Sequence, residues 1–175
     1  MKRLALCGVV CILLFGGVVS AGIYTDIYYS VTDLGGDRWQ YTYDVYNLNL
    51  PLPGDEIEEF TIWFGIGDYD NLAIETLDPP SSSWDEVTWD PEPFLGDDGG
   101  YDALATGLNI AIGENVSGFA VSFDWLGTGD PGSQFYEIID KVAFDTIDSG
   151  YTVPEPATML LFGIGGLILL KKRSV

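Results

Sequence analysis

Arg38-Trp39-Gln40-Tyr41-Thr42-Tyr43-Asp44-Val45-Tyr46 (RWQYTYDVY, residues 38–46) alternates large apolar and polar side chains without a break. Trp39, Tyr41, Tyr43 and Val45 fall on one parity, Gln40, Thr42 and Asp44 on the other. In an extended backbone successive side chains point to opposite faces, so this period of two predicts a strand with one buried face. Leu34-Gly35-Gly36-Asp37, just upstream, is turn chemistry. Before it, Ile23 to Thr32 alternates again, with Ile23, Ile27, Tyr29 and Val31 opposite Asp26, Ser30 and Thr32. Two alternating runs across a glycine turn predict a β-hairpin.

The same reading extends along the chain. Glu58 to Phe64 sets Phe60, Ile62 and Phe64 on one face, and further strands are expected at Asn71 to Leu77, Glu86 to Trp89, Leu108 to Ile112, Gly118 to Trp125 and Tyr136 to Ile147, the last breaking near Asp140. Gly, Pro and Asp punctuate each gap, and no segment carries a sustained helical period with caps. Seven to nine short antiparallel strands in one domain predict an all-β fold. The expected architecture is a single two-layer sandwich, immunoglobulin-like or jelly-roll-like, with a barrel as the alternative closure. Asp148 to Val153 reads as a short polar linker.

Composition narrows the function classes. Between Gly22 and Val153 the only basic residues are Arg38 and Lys141, set against 26 acids, a balance of −24. That field repels phosphate backbones and argues against nucleic acid as a partner. Five Trp, ten Tyr and nine Phe supply the core-forming material that a disordered acidic chain lacks. The chain has no His, and its two cysteines, Cys7 and Cys11, both lie in the apolar N-terminal run. Disulfides, thiol catalysis and zinc sites with nitrogen or sulfur ligands are therefore not expected in the domain.

Both ends are basic and apolar. Met1-Lys2-Arg3, the run Leu4 to Phe15 and small residues ending in Val19-Ser20-Ala21 have the order of a secretory signal peptide over residues 1–21, placing the mature start at Gly22. The domain is expected over 22–152. At the other end, Pro154-Glu155-Pro156 precedes an apolar run, Ala157 to Leu170, and the cluster Lys171-Lys172-Arg173. Fourteen residues are marginal for a spanning helix without their flanks. The basic cluster would stay cytoplasmic and leave the acidic domain outside. Taken as residues alone, the segment reads as a plain membrane tail, with Pro-Glu-Pro starting the helix.

The order of Pro154-Glu155-Pro156, a short glycine-containing apolar run and a terminal basic cluster closely resembles the PEP-CTERM sorting signal of bacterial exosortase substrates, over residues 153–175. The resemblance implies that Pro154, Glu155 and Pro156 are the recognition motif and that Lys171, Lys172 and Arg173 retain the chain in the inner membrane until an exosortase cuts near the triplet. It also implies an exported protein of the cell surface or extracellular matrix, in hosts making exopolysaccharide, which is a processing enzyme's substrate rather than an enzyme. The stretch Tyr101 to Asp140 is similar to the acidic, β-rich ectodomains attached to such signals.

Three chemistries remain to be weighed in the domain. Adjacent acids at Asp55-Glu56, Glu58-Glu59, Asp85-Glu86 and Asp97-Asp98 offer carboxylate pairs of the kind a glycosidase needs, but at this acidity a solvated surface is the expected reading, and no catalytic residue is assigned. Asp97, Asp98 and Asp102 are candidate oxygen ligands for structural calcium. Asp68-Tyr69-Asp70-Asn71 starts like an EF-hand loop but has Ala73 and Pro79 where glycine and glutamate belong. Finally, DPPSSSWDEVTWDPEPF places Trp84, Trp89 and Phe94 in a Pro-rich, acidic region, where aromatic faces flanked by carboxylates suit the rings and hydroxyls of a polysaccharide. The alternative is that these tryptophans pack into the sandwich. Trp39 and Trp125 share the apolar parity of their strands, whereas Trp63 lies opposite it.

Overall fold

The computed structural model describes residues 24–48 and 56–155. The expected signal peptide, the apolar runs at both ends, Pro156 and the Lys171–Arg173 cluster lie outside them. Among the described residues no helix is long and apolar enough to cross a membrane.

The predicted hairpin is formed by β1 (Thr25–Gly35) and β2 (Arg38–Asn47), paired antiparallel from Thr25 opposite Asn47 to Gly35 opposite Arg38. Its inner parity is the one read from sequence, since Ile27, Tyr41, Tyr43 and Val45 are fully buried. The chain continues through β3 (Glu59–Phe64), β4 (Tyr69–Ile74), one helical turn α1 (Pro80–Ser83), β5 (Trp84–Trp89), β6 (Gly99–Ala105), β7 (Asn115–Trp125), β8 (Phe135–Ile139), β9 (Thr146–Tyr151) and the two-residue β10 (Val153–Pro154). Among the described residues ten strands make two five-stranded sheets, ordered β10-β1-β2-β7-β4 and β5-β6-β3-β8-β9. The all-β sandwich is the fold expected from sequence.

The two sheets meet through aromatic rings. Phe60 of β3 sits edge-on to Phe119 of β7 with centroids 5.0 Å apart, and Tyr43 of β2 stacks on Tyr101 of β6 at 6.5 Å. Tyrosines fill a core only if each hydroxyl finds a partner, because an unpaired buried hydroxyl loses its water without compensation. Here Tyr41 donates to the carbonyl of Gly132 at 2.6 Å, Tyr136 to that of Thr25 at 2.6 Å, Tyr43 to Gln134 Oε1 at 3.4 Å, and Tyr101 to Glu86 Oε2. Burial pushes the ionisation of all four well above that of a free tyrosine.

Several expected boundaries move. Strand β7 starts at Asn115, not Gly118. Tyr43 pairs with Phe119 and Asp44 with Ser117, leaving Gly118 as an extra residue at φ +97°, a bulge that kinks the strand without ending it. Leu108 to Ile112 is not a strand, and only Ile110 bridges, to Ile57. Gly99 to Ala105, whose first half reads as a turn, is instead a strand paired on both sides. The linker expected at Asp148–Val153 is also absent. Tyr151 pairs with Phe135 in β9, and β10 adds to the edge of β1.

Candidate functional site

The outer face of the second sheet carries an aromatic pair that its register creates. On β3, Phe60, Ile62 and Phe64 point inward, so Trp63 points outward and is half-buried. On β5, Trp84 is inside and Trp89, five residues on, is outside. Trp63 and Trp89 are both register partners of Gly100, which lies between them on β6. The missing side chain at Gly100 leaves room for the Trp89 ring to lie across the strand. A Cβ there would come within 2.2 Å of Trp89 Cζ2. The two indoles therefore meet edge to face, centroids 5.8 Å apart at 80°. Their N–H groups are satisfied, Trp63 Nε1 donating to Glu137 Oε2 at 2.9 Å and Trp89 Nε1 to the carbonyl of Asp98 at 3.2 Å.

Beside the pair opens a cleft of about 480 Å³, lined by Trp63, Trp89, Asp90, Glu92, Gly96, Asp97 and Asp98. Its acids are held by backbone donors. Asp98 Oδ1 accepts from Ile66 N at 3.0 Å and Asp90 Oδ1 from Leu72 N at 2.7 Å. The loop wall is closed by Glu92, whose N–H reaches the Asp97 carbonyl at 2.9 Å. Further down the same face, Asp102 accepts from Thr61 Oγ1 at 2.7 Å. Burial raises the Asp102 carboxyl above the ordinary aspartate range, Thr61 pulls it back, and the charge of Asp85 adds to the rise. Glu59, next along this face, is raised by burial and then by Asp102. Neither basic residue among those described lines the cleft: Arg38 bridges Asp124 at 3.2 Å, and Lys141 pairs with Glu58. The arrangement is a pair of indoles set edge to face, with carboxylate acceptors around them and no basic side chain among the described residues lining the cleft.

The sequence candidates distribute unevenly over this geometry. Trp89 is in the cleft and 38% exposed. Trp84 is not a surface platform. At 4% exposure it packs edge-on to Phe119 at 5.2 Å, a core position, because the strand begins at Trp84 and its first residue points inward. Its Nε1 has no hydrogen-bond partner among the described residues. Phe94 is 98% exposed in the loop between β5 and β6 and does not line the cleft. Asp97 and Asp98 are cleft residues, whereas the Asp102 carboxyl is committed to Thr61. The three do not converge, and no group of three acidic residues suited to a metal ion occurs among the described residues. Trp63, the residue the sequence left unassigned, completes the pair. Its outward parity was the available signal, but its partner is fixed by pairing through β6.

The sorting triplet begins within the fold. Val153 and Pro154 run parallel to β1, opposite Tyr28 and Tyr29, and Glu155 N donates to the Tyr29 carbonyl at 2.9 Å. Fold and site together define a two-sheet β-sandwich whose last edge strand leads into a C-terminal sorting segment. The family model of the PEP-CTERM protein-sorting motif matches residues 152–173, so the chain carries that motif there. Such a motif marks an exported protein for processing by an exosortase. No curated protein matches the chain. Among solved structures it is similar to the family 3b carbohydrate-binding module from the biomass sensoring system of Clostridium clariflavum, at 8% identity and TM-score 0.44, over 71% of this chain and 95% of that one. It is also similar to a GH20 exo-β-N-acetylglucosaminidase from Vibrio harveyi, at 9% identity and TM-score 0.38, over 76% of this chain and 18% of that one.

Proposed function

We propose that this is a non-enzymatic, structural or interaction protein of the bacterial surface or extracellular matrix, exported and then sorted through Pro154, Glu155 and Pro156, with Lys171, Lys172 and Arg173 holding an inner-membrane intermediate. The observation that carries this reading is the sorting motif over residues 152–173. Fractionation of the host tests it. An uncut precursor belongs in the inner membrane and the mature domain at the surface or outside, and replacing the three basic residues with Gln releases the precursor from the membrane. Recovery of the protein from the cytoplasm in both strains overturns the reading.

A second reading, a carbohydrate-binding or adhesive module, is favoured by the Trp63–Trp89 cleft. Indole faces stack on the apolar faces of sugar rings, and the surrounding carboxylates accept hydroxyl hydrogen bonds. With a balance of −24 over residues 22–153, the polysaccharide is neutral or cationic rather than anionic. Intrinsic fluorescence followed during titration with the host's exopolysaccharide separates the two readings. Binding gives a saturable change lost in Trp63→Ala and Trp89→Ala. A flat response from the folded wild-type protein removes this reading and leaves the structural one.

A further inference from the structure

We propose that the sorting motif is gated by the domain that precedes it: Val153 to Glu155 are docked along the edge of β1, and the processing enzyme reaches the triplet only when β10 lifts away. The proposal rests on the sorting reading above.

Strand β10 contributes two residues in parallel register with Tyr28 and Tyr29, followed by the bond from Glu155 N to the Tyr29 carbonyl at 2.9 Å. Pro154 suits this place, since an edge strand has no outer neighbour to receive the N–H that proline lacks. The residue immediately before is held far more firmly. Thr152 is 1% exposed, its N–H donates to the Gln134 carbonyl at 2.8 Å, and its Oγ1 accepts from Gln134 N at 2.9 Å. Upstream of it, β9 is paired along β8. The chain thus passes abruptly from a buried anchor at Thr152 to an exposed strand of two residues, Val153 being 41% exposed. That boundary is a natural hinge.

Two consequences make docking incompatible with processing. An enzyme that takes its substrate as an extended strand needs free backbone groups, and in the docked state those of Val153 to Glu155 on one side are turned to β1. Reach is the other constraint. In the sequence the apolar run begins at Ala157, two residues after Glu155, and two residues span at most about 7 Å. While β10 is docked, the folded domain stands no further than that from the start of the run, crowding anything that approaches the triplet. Lifting β10 as far as Thr152 frees three more residues, roughly 10 Å of chain. The rate of processing then scales with the fraction of molecules in which β10 is open.

The test is made on the full chain in its native host. Tyr28→Cys and Val153→Cys place two thiols at a register pair in a protein whose domain has no other cysteine. The oxidised pair, verified by intact mass, is expected to accumulate as uncut precursor on the order of tenfold over wild type and to be cut once reduced. Each single cysteine is expected to process normally. Val153→Gly, which weakens the docked strand without touching the triplet, is expected to be cut faster. Processing of the oxidised pair at the wild-type rate overturns the proposal, as does Val153→Gly cut no faster than wild type. Failure of the wild-type chain itself to be cut would instead remove the sorting reading, so the two failures are distinguishable.

Discussion

Gly100→Ala is the sharpest single perturbation of the cleft. A Cβ at this position would stand 2.2 Å from Trp89 Cζ2 and 2.5 Å from Cη2, distances that only displacement of the whole indole relieves. The sheltered part of the Trp89 indole, which is 38% exposed, removes on the order of 150 Å² from water. Losing half of that shelter costs about 2 kcal/mol at roughly 25 cal/mol per Å². The edge-to-face contact with Trp63 adds about 1 kcal/mol, while replacing glycine within a strand returns about 0.5–1 kcal/mol. The net expectation is destabilisation by about 2 kcal/mol in urea unfolding, with a red shift of tryptophan emission as the ring is exposed. The steric origin is checked by a double-mutant cycle. In a Trp89→Ala background there is no ring to displace, so Gly100→Ala becomes slightly stabilising by the glycine term alone, and the two changes couple by about 3 kcal/mol. A penalty for Gly100→Ala that is equally large with and without Trp89 would refute the reasoning and place the requirement for glycine in the backbone.

Other consequences follow from the core and the acidic face. Trp84→Ala is expected to cost about 3–5 kcal/mol of stability through the cavity beside Phe60 and Phe119. Trp84→Phe, which keeps a ring and removes the unpartnered N–H, should cost no more than about 1.5 kcal/mol in the same unfolding assay. Because the Asp102 carboxyl is raised above its ordinary value of 3.8 by burial first, the folded state holds that proton more tightly than the unfolded chain, and stability falls as pH rises through this window. Asp102→Asn is therefore expected to stabilise the protein at neutral pH, the gain vanishing as pH falls towards 3.8, as read from urea midpoints across pH. The buried tyrosines carry the same sign at the alkaline end. Their neutral forms are favoured in the fold, so stability declines as pH rises above the ordinary tyrosine value of 10.0, and the share of tyrosinate absorbance owed to the buried rings should appear together with the loss of structure.

Alternation made the β1–β2 hairpin, the inward face of β3 and the second half of β7 legible, because in each a large apolar side chain recurs at every second residue. Strand β6 was not, for an instructive reason. Gly99-Gly100 reads as a turn by local chemistry, yet Gly100 is selected here by what lies on top of it, and Trp89 is eleven residues away in sequence. Gly118 misled in the same way, marking a bulge where a strand start was expected. In β5 the error was one of boundary. Starting the strand at Glu86 left Trp84 outside it, although a spacing of five already puts Trp84 and Trp89 on opposite faces of a single strand. The Trp63–Trp89 pair needed the register of three strands, which no local pattern encodes. The sorting segment was legible because its order of triplet, apolar run and basic cluster is written along the chain, whereas the docking of β10 on β1 joins residues more than a hundred positions apart.

The most direct test of the sorting account is the intact mass of the protein recovered from the outside of its native host, compared between wild type and Glu155→Ala. This substitution removes the side chain of the triplet but leaves the backbone donor that reaches the Tyr29 carbonyl, so it separates recognition from docking. The account predicts a wild-type chain that has lost its terminus near residues 154–156 and an uncut species that accumulates in the variant. Surface protein extending to Val175 in both strains would contradict it.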